Sequence, residues 1–213
     1  MIFTVDDTIR WLHKTSAKMT EQVDYLTVLD DMIGDGDHGL NMVRGFQAIV
    51  NDLAVIENNE ARLTVADLLK RSSQQLLKSV GGASGILYAT AFYKMATVFQ
   101  TTARINHLAF EKALAEAVKG IKRRGNVNSG EKTLLDVWVA MLTLFEESDK
   151  FPESEIIEQT ARTAMENTKT YAATKGKAAL YEEASLGHID PGAASTYYLF
   201  ASLAETCKEN EDG

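Results

Sequence analysis

Cysteine and long apolar runs are almost absent from this sequence of 213 residues. Cys207 is the only cysteine, so an intramolecular disulfide, a cysteine-based zinc site and a secreted disulfide scaffold are excluded. The most apolar stretch, residues 86–99, is interrupted by Lys94, and no run approaches the roughly 18 apolar residues of a transmembrane helix. Residues 1–12 carry no basic-then-apolar signal pattern. The sequence therefore predicts a cytoplasmic protein that does not contact a membrane.

Basic charge is also scarce. The chain has 22 lysines and arginines against 30 aspartates and glutamates, which gives a net charge of −8. A protein that binds the phosphate backbone needs a basic face, so we expect no nucleic-acid partner. Hydrophobic residues make up 45% and charged residues 24%, which is close to the globular average and argues against disorder. We predict one domain over residues 1–213, with a frayed polar tail from about residue 208 to 213.

Proline is the third scarce residue. Pro152 and Pro191 are the only two, and long proline-free stretches favour helices. Three segments repeat apolar residues at the three- and four-residue spacings of amphipathic helices. These positions are Val65, Leu68, Leu69, Leu76, Leu77 and Val80, then Phe110, Leu114, Ala117, Val118 and Ile121, then Leu134, Leu135, Val137, Trp138, Met141, Leu142 and Phe145. Short polar breaks at residues 57–60, 125–130 and 149–152 separate the helical patterns. We predict an all-α barrel or bundle of about eight antiparallel amphipathic helices.

The densest candidate site is an acidic segment interrupted by glycines. Asp30 lies near a predicted helix end, and Gly34 and Gly36 allow a sharp backbone path. That path brings Asp35 and Asp37 back toward Asp30. Three like charges are unfavourable together unless a cation compensates, and ligands that are all oxygen indicate Mg²⁺, Mn²⁺ or Ca²⁺. The spacing does not match an EF-hand loop. The alternative is a solvated acidic turn.

Two further motifs lie at predicted helix starts. His38 follows the acidic segment, either as a packed or capping histidine or as a donor to a phosphate beside the metals. Residues 81–85, Gly-Gly-Ala-Ser-Gly, lie between two helical patterns, and Ser84 is the predicted N-cap of the second. Free amides at a helix start bind anions, although two glycines are also a common helix stop.

Two loops complete the set of motifs. Residues 125–133 nearly spell a phosphate-binding P-loop, but Glu131 is one residue too many and the preceding segment is a predicted helix end. We therefore reject a P-loop and predict a loop that can cover a ligand, with Thr133 near the next helix start. Residues 187–192, Gly-His-Ile-Asp-Pro-Gly, fit a turn between two helices.

In their order, these motifs resemble the nucleotide-binding L subunit of dihydroxyacetone kinase, from about Thr27 to Ser195. The resemblance implies an eight-helix barrel and a phosphotransferase that holds ADP or ATP at one end with two Mg²⁺ ions. In the phosphotransferase-system-dependent type, ADP stays bound as a cofactor and a phosphohistidine donor, the M subunit, recharges it. The phosphoryl group then passes to dihydroxyacetone on the K subunit.

The resemblance also implies the site residues. Asp30, Asp35 and Asp37 match the metal ligands. The positions that match nucleotide contacts are His38, Gly39, Leu40, Asn41, Ala83, Ser84, Gly125, Leu134, Lys177, Asp190, Pro191 and Gly192. Lys177 stands where the family has an arginine, which keeps the charge but loses the bidentate fork for phosphate. No residue is predicted as a covalent catalyst.

Three other interpretations stay open on the sequence. One is a non-catalytic module that binds Mg²⁺ and nucleotide and regulates transcription. Another is a kinase subunit for a different small ketose or polyol. The third is a plain helical scaffold with an acidic surface turn.

Overall fold

Helices form nearly all of the regular structure in residues 1–57 and 63–211, which this computed structural model describes. They are α1 (Val5–Glu21), α2 (Val23–Ile33), α3 (His38–Glu57), α4 (Val65–Ser79), α5 (Gly82–Phe99), α6 (His107–Gly125), α7 (Leu135–Glu146), α8 (Ser154–Asn167) and α9 (Pro191–Glu211). Two 3-10 segments, Thr168–Thr170 and Lys177–Ser185, lie between α8 and α9. Within the described ranges, β pairing is limited to one isolated bridge between Phe3 and Ile105. The predicted all-α class is confirmed.

Local sequence fixes several helix starts. Thr4 caps α1 by accepting a hydrogen bond from the Asp7 amide, and the Asp7 carboxylate accepts one from the Thr4 amide. Thr64 and Asp67 form the same reciprocal capping box at the start of α4. Such caps satisfy amides that have no partner within the helix. The positions of α1 and α4 are therefore encoded in a few neighbouring residues.

The helices close into a ring. Each helix from α3 to α8 packs on the helix that follows it in the chain, and α1 packs on both α9 and α3. The additional helix α2 packs on α3 and α9. Short connections make consecutive helices antiparallel, so alternate termini meet at the same end of the ring. The ends of α2, α4 and α6 and the starts of α3, α5, α7 and α9 therefore share one end.

Aromatic side chains fill much of the interior. The Phe110 ring lies between Phe3, Phe145 and Phe151, with centroids 5.2–5.4 Å apart. Helix α9 is buried around nearly its whole circumference rather than along one stripe. Its first turns are built from small residues, which let α1, α2, α7 and α8 pack closely around it. Helix α9 therefore lacks the single apolar stripe of an amphipathic helix.

Two predictions about local exposure need correction. Leu77 is 59% exposed, because Leu76 takes the core-facing direction in α4 and the next residue points about 100° away. The tail from Lys208 to Glu211 is helical rather than frayed, and the Ser154 amide and hydroxyl both donate to the Glu211 carboxylate. Residues 212–213, and 58–60 of the predicted break at 57–60, lie outside the described residues.

Within residues 1–57 and 63–211, no helix combines the length and apolar character needed to cross a bilayer.

Candidate functional site

A cavity of about 640 Å³ opens at one end of the ring. Its lining comes from the end of α2, the turn before α5, the end of α6, the loop before α7 and residues 175–178. The first turns of α3, α5 and α9 also face it. Helix N-termini carry unpaired amides and a partial positive charge, so several of them around one cavity favour an anionic ligand.

Three carboxylates meet on one side of this cavity. One oxygen each from Asp30, Asp35 and Asp37 lies within 4.8 Å of the others. Asp30 is buried, and its Oδ2 accepts hydrogen bonds from the amides of Asp37 at 2.9 Å and His38 at 3.0 Å. Burial raises the pKa of Asp30, and the charges of Asp35 and Asp37 add to that rise. The loop is thus folded around a carboxylate that a nearby cation would stabilise.

The glycines of this loop leave room for the carboxylates. A Cβ on Gly34 would lie 2.1 Å from Asp30 Oδ1. Gly36 has a φ of +73°, and a Cβ there would lie 1.9 Å from Asp31 Oδ1. Any side chain at either position would displace a carboxylate. The predicted backbone path is therefore confirmed.

The donor set fits a divalent cation such as Mg²⁺. All three converging groups offer oxygen, which hard cations prefer. Lys177 donates a hydrogen bond to Asp35 from across the cavity mouth. One ammonium group offsets only part of the repulsion among three carboxylates. Asp30, Asp35 and Asp37 would hold the metal.

His38 is buried behind the acidic loop. Its Nε2 lies 2.9 Å from Ser195 Oγ, and its Nδ1 lies 3.3 Å from Ser84 Oγ. Burial lowers the pKa of His38 to about 4 despite the charge of Asp37, so the ring is neutral at physiological pH. Both ring nitrogens therefore contact hydroxyls, and direct donation from His38 to a phosphate stays a prediction. The predicted N-cap role of Ser84 is wrong, because Gly81 is the N-cap and Ser84 lies in the first turn of α5.

Lys132 connects the loops beneath the cavity through hydrogen bonds. Its side chain is almost fully buried and donates to the carbonyl oxygens of Thr168, at 2.6 Å, and His188. Burial lowers the pKa of Lys132, and the charges of Asp190 and Asp136 oppose that shift. The segment before this loop is the helix α6, in agreement with the rejection of a P-loop.

Most predicted site residues lie at the cavity. They are Asp30, Asp35, Asp37, His38, Asn41, Ala83, Ser84, Gly125, Leu134, Lys177, Asp190, Pro191 and Gly192. Gly39 and Leu40 do not. Because α3 begins at His38, residues His38 and Asn41 share one face, whereas Gly39 packs against Val23 and Leu40 is 59% exposed.

Sequence reasoning missed two parts of the lining. One is an apolar wall formed by Ile33, Ile86, Leu87 and Val127. The other is the basic residues Arg124 and Lys175 at the cavity. Ile86 directly follows the predicted Gly-rich turn, and Arg124 directly precedes Gly125. These positions next to predicted motifs are the signals that could have indicated contact with the cavity. Ordinary apolar and basic residues carry no motif, so neither was distinctive.

Asp190 gives a testable pH dependence. Burial raises its pKa to about 7, against an ordinary value of 3.8. As the pH rises from 4 to 7 the unfolded chain loses this proton before the folded chain does, so the stability of the fold falls across that window. Asp190→Asn keeps an acceptor for the Ala193 amide and removes the dependence. In nucleotide-free protein, its gain in unfolding free energy over wild type should grow by about 3 kcal/mol from pH 5 to pH 8.

The measurement is chemical denaturation at pH 5 and pH 8, and Asp67→Asn is the matched control. Hydrogen bonds from Thr64 lower the pKa of Asp67 below its ordinary value of 3.8, so this carboxylate is ionised at both pH 5 and pH 8, and its replacement should destabilise the protein about equally at both. A gain from Asp190→Asn that is equal at pH 5 and pH 8 would contradict the burial argument.

Comparisons with known proteins identify the family of this chain. A family profile, described as the DAK2 domain, matches residues 32–205. A relative from Listeria innocua, named as the ADP-binding subunit DhaL of a PEP-dependent dihydroxyacetone kinase, is 35% identical over 97% of this chain and 98% of its own length. A DhaL subunit of the same description from Escherichia coli is 35% identical over 94% of this chain and 96% of its own length.

A solved structure shows the same fold. It is the dihydroxyacetone kinase from C. freundii in complex with AMP-PNP and Mg²⁺, with a TM-score of 0.72 and 23% identity. The match covers 93% of this chain and 33% of the kinase chain, so the present chain spans about a third of that enzyme. Given the profile match and two full-length relatives above 30% identity, the chain belongs to the DAK2 domain family.

Proposed function

We propose that this chain is the ADP-binding subunit of a phosphoenolpyruvate-dependent dihydroxyacetone kinase. In this proposal, ADP or ATP serves as a bound cofactor with two Mg²⁺ ions. A phosphohistidine donor subunit supplies the phosphoryl group, and dihydroxyacetone on a K-type subunit receives it. The relatives named as ADP-binding subunits of this kind of kinase match over nearly their whole length, which supports the proposal.

The observation that carries the proposal is the composition of the cavity. Three carboxylates that suit Mg²⁺ face the same space as the first turns of α3, α5 and α9, which suit phosphate oxygens. The apolar wall of Ile86, Leu87 and Val127 offers a surface for a nucleotide base. A plain acidic surface turn would need none of these partners around it.

The residues of this chain act by binding and positioning. Asp30, Asp35 and Asp37 hold the metal, and Lys177 supplies a positive charge at the same edge. When bound, Mg²⁺ neutralises charge on the transferring phosphoryl group, which is the main requirement of this chemistry. Two divalent ions and Lys177 offset most of the negative charge of three carboxylates and a nucleoside diphosphate, which supports the proposed number of metals.

Among the residues that the structure describes, no histidine is placed to carry the phosphoryl group covalently. Among the four histidines, all of which the structure describes, His38 alone lines the cavity, and both of its nitrogens contact hydroxyls. The acceptor must therefore reach the nucleotide from outside. A partner subunit that covers this end of the ring meets that requirement.

Reconstitution tests the proposal. The isolated protein should not phosphorylate free dihydroxyacetone, and activity should appear when a K-type subunit and a phosphohistidine donor are added. When the donor carries a radioactively labelled phosphoryl group, the label should be found on the nucleotide during turnover. Mass spectrometry of the nucleotide released from the denatured protein should identify ADP or ATP. An acid-labile phosphohistidine on this chain, formed without nucleotide, would contradict the mechanism.

A second acceptor has support of its own. An L-erythrulose 1-kinase from Mycolicibacterium smegmatis is 33% identical over 83% of this chain. The match covers 31% of that protein. A kinase subunit for another small ketose would share the same nucleotide site. Repeating the reconstitution with L-erythrulose and dihydroxyacetone separates the two acceptors.

A further inference from the structure

A closed loop between α8 and α9, residues 169–187, forms part of the cavity mouth, and we call it the flap. The Gly187 amide donates to the Lys169 carbonyl oxygen at 2.8 Å, so the two ends of the flap meet although they are far apart in the chain. Residues 175–178 of the flap line the cavity. The flap is therefore a unit that joins the ring through a narrow neck, where residues 168–169 lie beside residues 187–188.

The flap packs on the acidic loop through a small apolar cluster. Ala173 and Ala178 pack with Ile33 at the end of α2, and this cluster is separate from the main core of the described residues. Inside the flap, the Ala173 amide donates to the buried Ser185 hydroxyl at 2.8 Å. Two alanines and one isoleucine bury little apolar surface, so their packing holds the flap only weakly. The position of the flap therefore depends on its neck.

Lys132 holds the neck from inside the protein. Its ammonium group donates to the carbonyl oxygen of Thr168, at 2.6 Å, directly before the flap, and to that of His188, directly after it. The side chain is 1% exposed, so water cannot easily replace it as the donor. Charge-assisted hydrogen bonds are stronger than neutral ones, and a buried carbonyl that loses its donor is costly. One side chain therefore fixes both ends of the flap.

Other contacts hold the start of α9. The Asp190 amide donates to Thr168 Oγ1 at 3.1 Å, and Asp190 Oδ2 accepts from the Ala193 amide at 2.7 Å. The Thr168 hydroxyl in turn donates to the carbonyl oxygen of Met165 in α8. Lys132 takes no part in these three bonds. Loss of its ammonium group should therefore release the flap and leave the start of α9 in place.

We propose that Lys132 is a positioning residue for the nucleotide site, because it holds the flap where Lys177 faces the carboxylates. Lys177 lines the cavity and donates to Asp35. The inference rests on the proposed function, in which Lys177 lies beside the nucleotide phosphates. A lysine on a displaced flap cannot reach them, so the bound nucleotide loses a charge-assisted contact.

Calorimetric titration with ADP in Mg²⁺ tests this role through a double-mutant cycle. Lys177→Ala should bind ADP about tenfold more weakly than the wild type. Lys132→Met keeps an unbranched side chain but loses the ammonium group, and it should show the same loss. Because both changes remove the same contact, the double variant should also be about tenfold weaker. A loss of about a hundredfold would show that Lys132 acts independently of Lys177, and it would overturn the inference.

Trypsin reports the position of the flap directly, since Lys175 and Lys177 are cleavage sites within it. Without nucleotide, Lys132→Met should be cut at these two sites on the order of tenfold faster than the wild type. Ser73→Ala is the matched control, because it removes a buried hydrogen bond to the Ala89 carbonyl oxygen, away from the cavity lining. It should lose stability but keep both the ADP affinity and the cleavage rate.

Two further variants keep the test decisive if Lys132→Met does not fold. Lys132→Gln keeps a polar N–H group near the two carbonyls, so it should fold and lose less ADP affinity. Gly187 has a φ of +82°, and a Cβ there meets open space, so Gly187→Ala strains the neck without overfilling it. Either change should weaken ADP binding in the wild type but not in Lys177→Ala.

The outcomes separate this inference from the proposed function. Unchanged ADP affinity in Lys177→Ala, or unchanged affinity or cleavage in the folded Lys132 variants, would overturn the inference alone. Failure of the wild type to bind Mg²⁺ and ADP would overturn the proposed function and this inference together.

Discussion

Asp35→Ala and Asp37→Ala are each expected to abolish retention of nucleotide while leaving the helix content intact. Both side chains lie in the carboxylate cluster, and both are exposed, so neither supports the core. Removing one also removes a repulsive charge, so the metal-free fold should keep or gain stability. Asp30 is a poorer test, because its carboxylate also accepts the amides of Asp37 and His38 and organises the loop.

The measurement is the amount of ADP per protein after gel filtration in Mg²⁺, with circular dichroism to follow helix content. Asp31→Ala is the matched control, since it removes an exposed carboxylate next to the cluster but outside it. It should retain nucleotide. Stoichiometric ADP on Asp35→Ala or Asp37→Ala would refute the assignment of metal ligands.

Mg²⁺ and ADP together should raise the melting temperature strongly, whereas either alone should raise it little. A ligand that binds only the folded state at a thousandfold excess over its Kd stabilises by about 4 kcal/mol, which is on the order of 10 °C for a chain of this length. The cooperation follows from charge: three carboxylates repel the phosphates of ADP unless a cation lies between them.

Thermal melts with and without EDTA provide the measurement, and Asp37→Ala provides the control that should lose the combined shift. An equal shift from ADP in the presence of EDTA would show that the nucleotide binds without a metal bridge. That outcome would leave Lys177 and the helix N-termini as the anion site.

Much of the fold follows from local sequence alone. The periodic segments form α4, α6 and α7, and the breaks at 125–130 and 149–152 separate helices as predicted. Helix periodicity and caps involve residues only three or four apart, so they can be identified without knowing the tertiary structure. The acidic loop could be found for the same reason, because its carboxylates and glycines lie within eight positions of each other.

The sequence could not show which residue of a motif faces the cavity. Leu40 sits between His38 and Asn41 in the chain, yet it points to solvent because α3 already begins at His38. The sequence predicts Ser84 as a cap, but α5 begins earlier than that prediction requires, and Ser84 instead becomes a partner of His38. An error of one residue rotates a side chain by about 100°, which is enough to move it from cavity to surface.

The sequence by itself determined the helical class, the absence of disulfides, the acidic charge and the three-aspartate loop. Closure of the ring decided the rest. It brought the start of α9 to the start of α3, so that Ser195 meets His38, and it buried Lys132 against the carbonyl oxygens of Thr168 and His188. These contacts join residues 36 to 157 positions apart, and they depend on the packing of whole helices rather than on any local pattern.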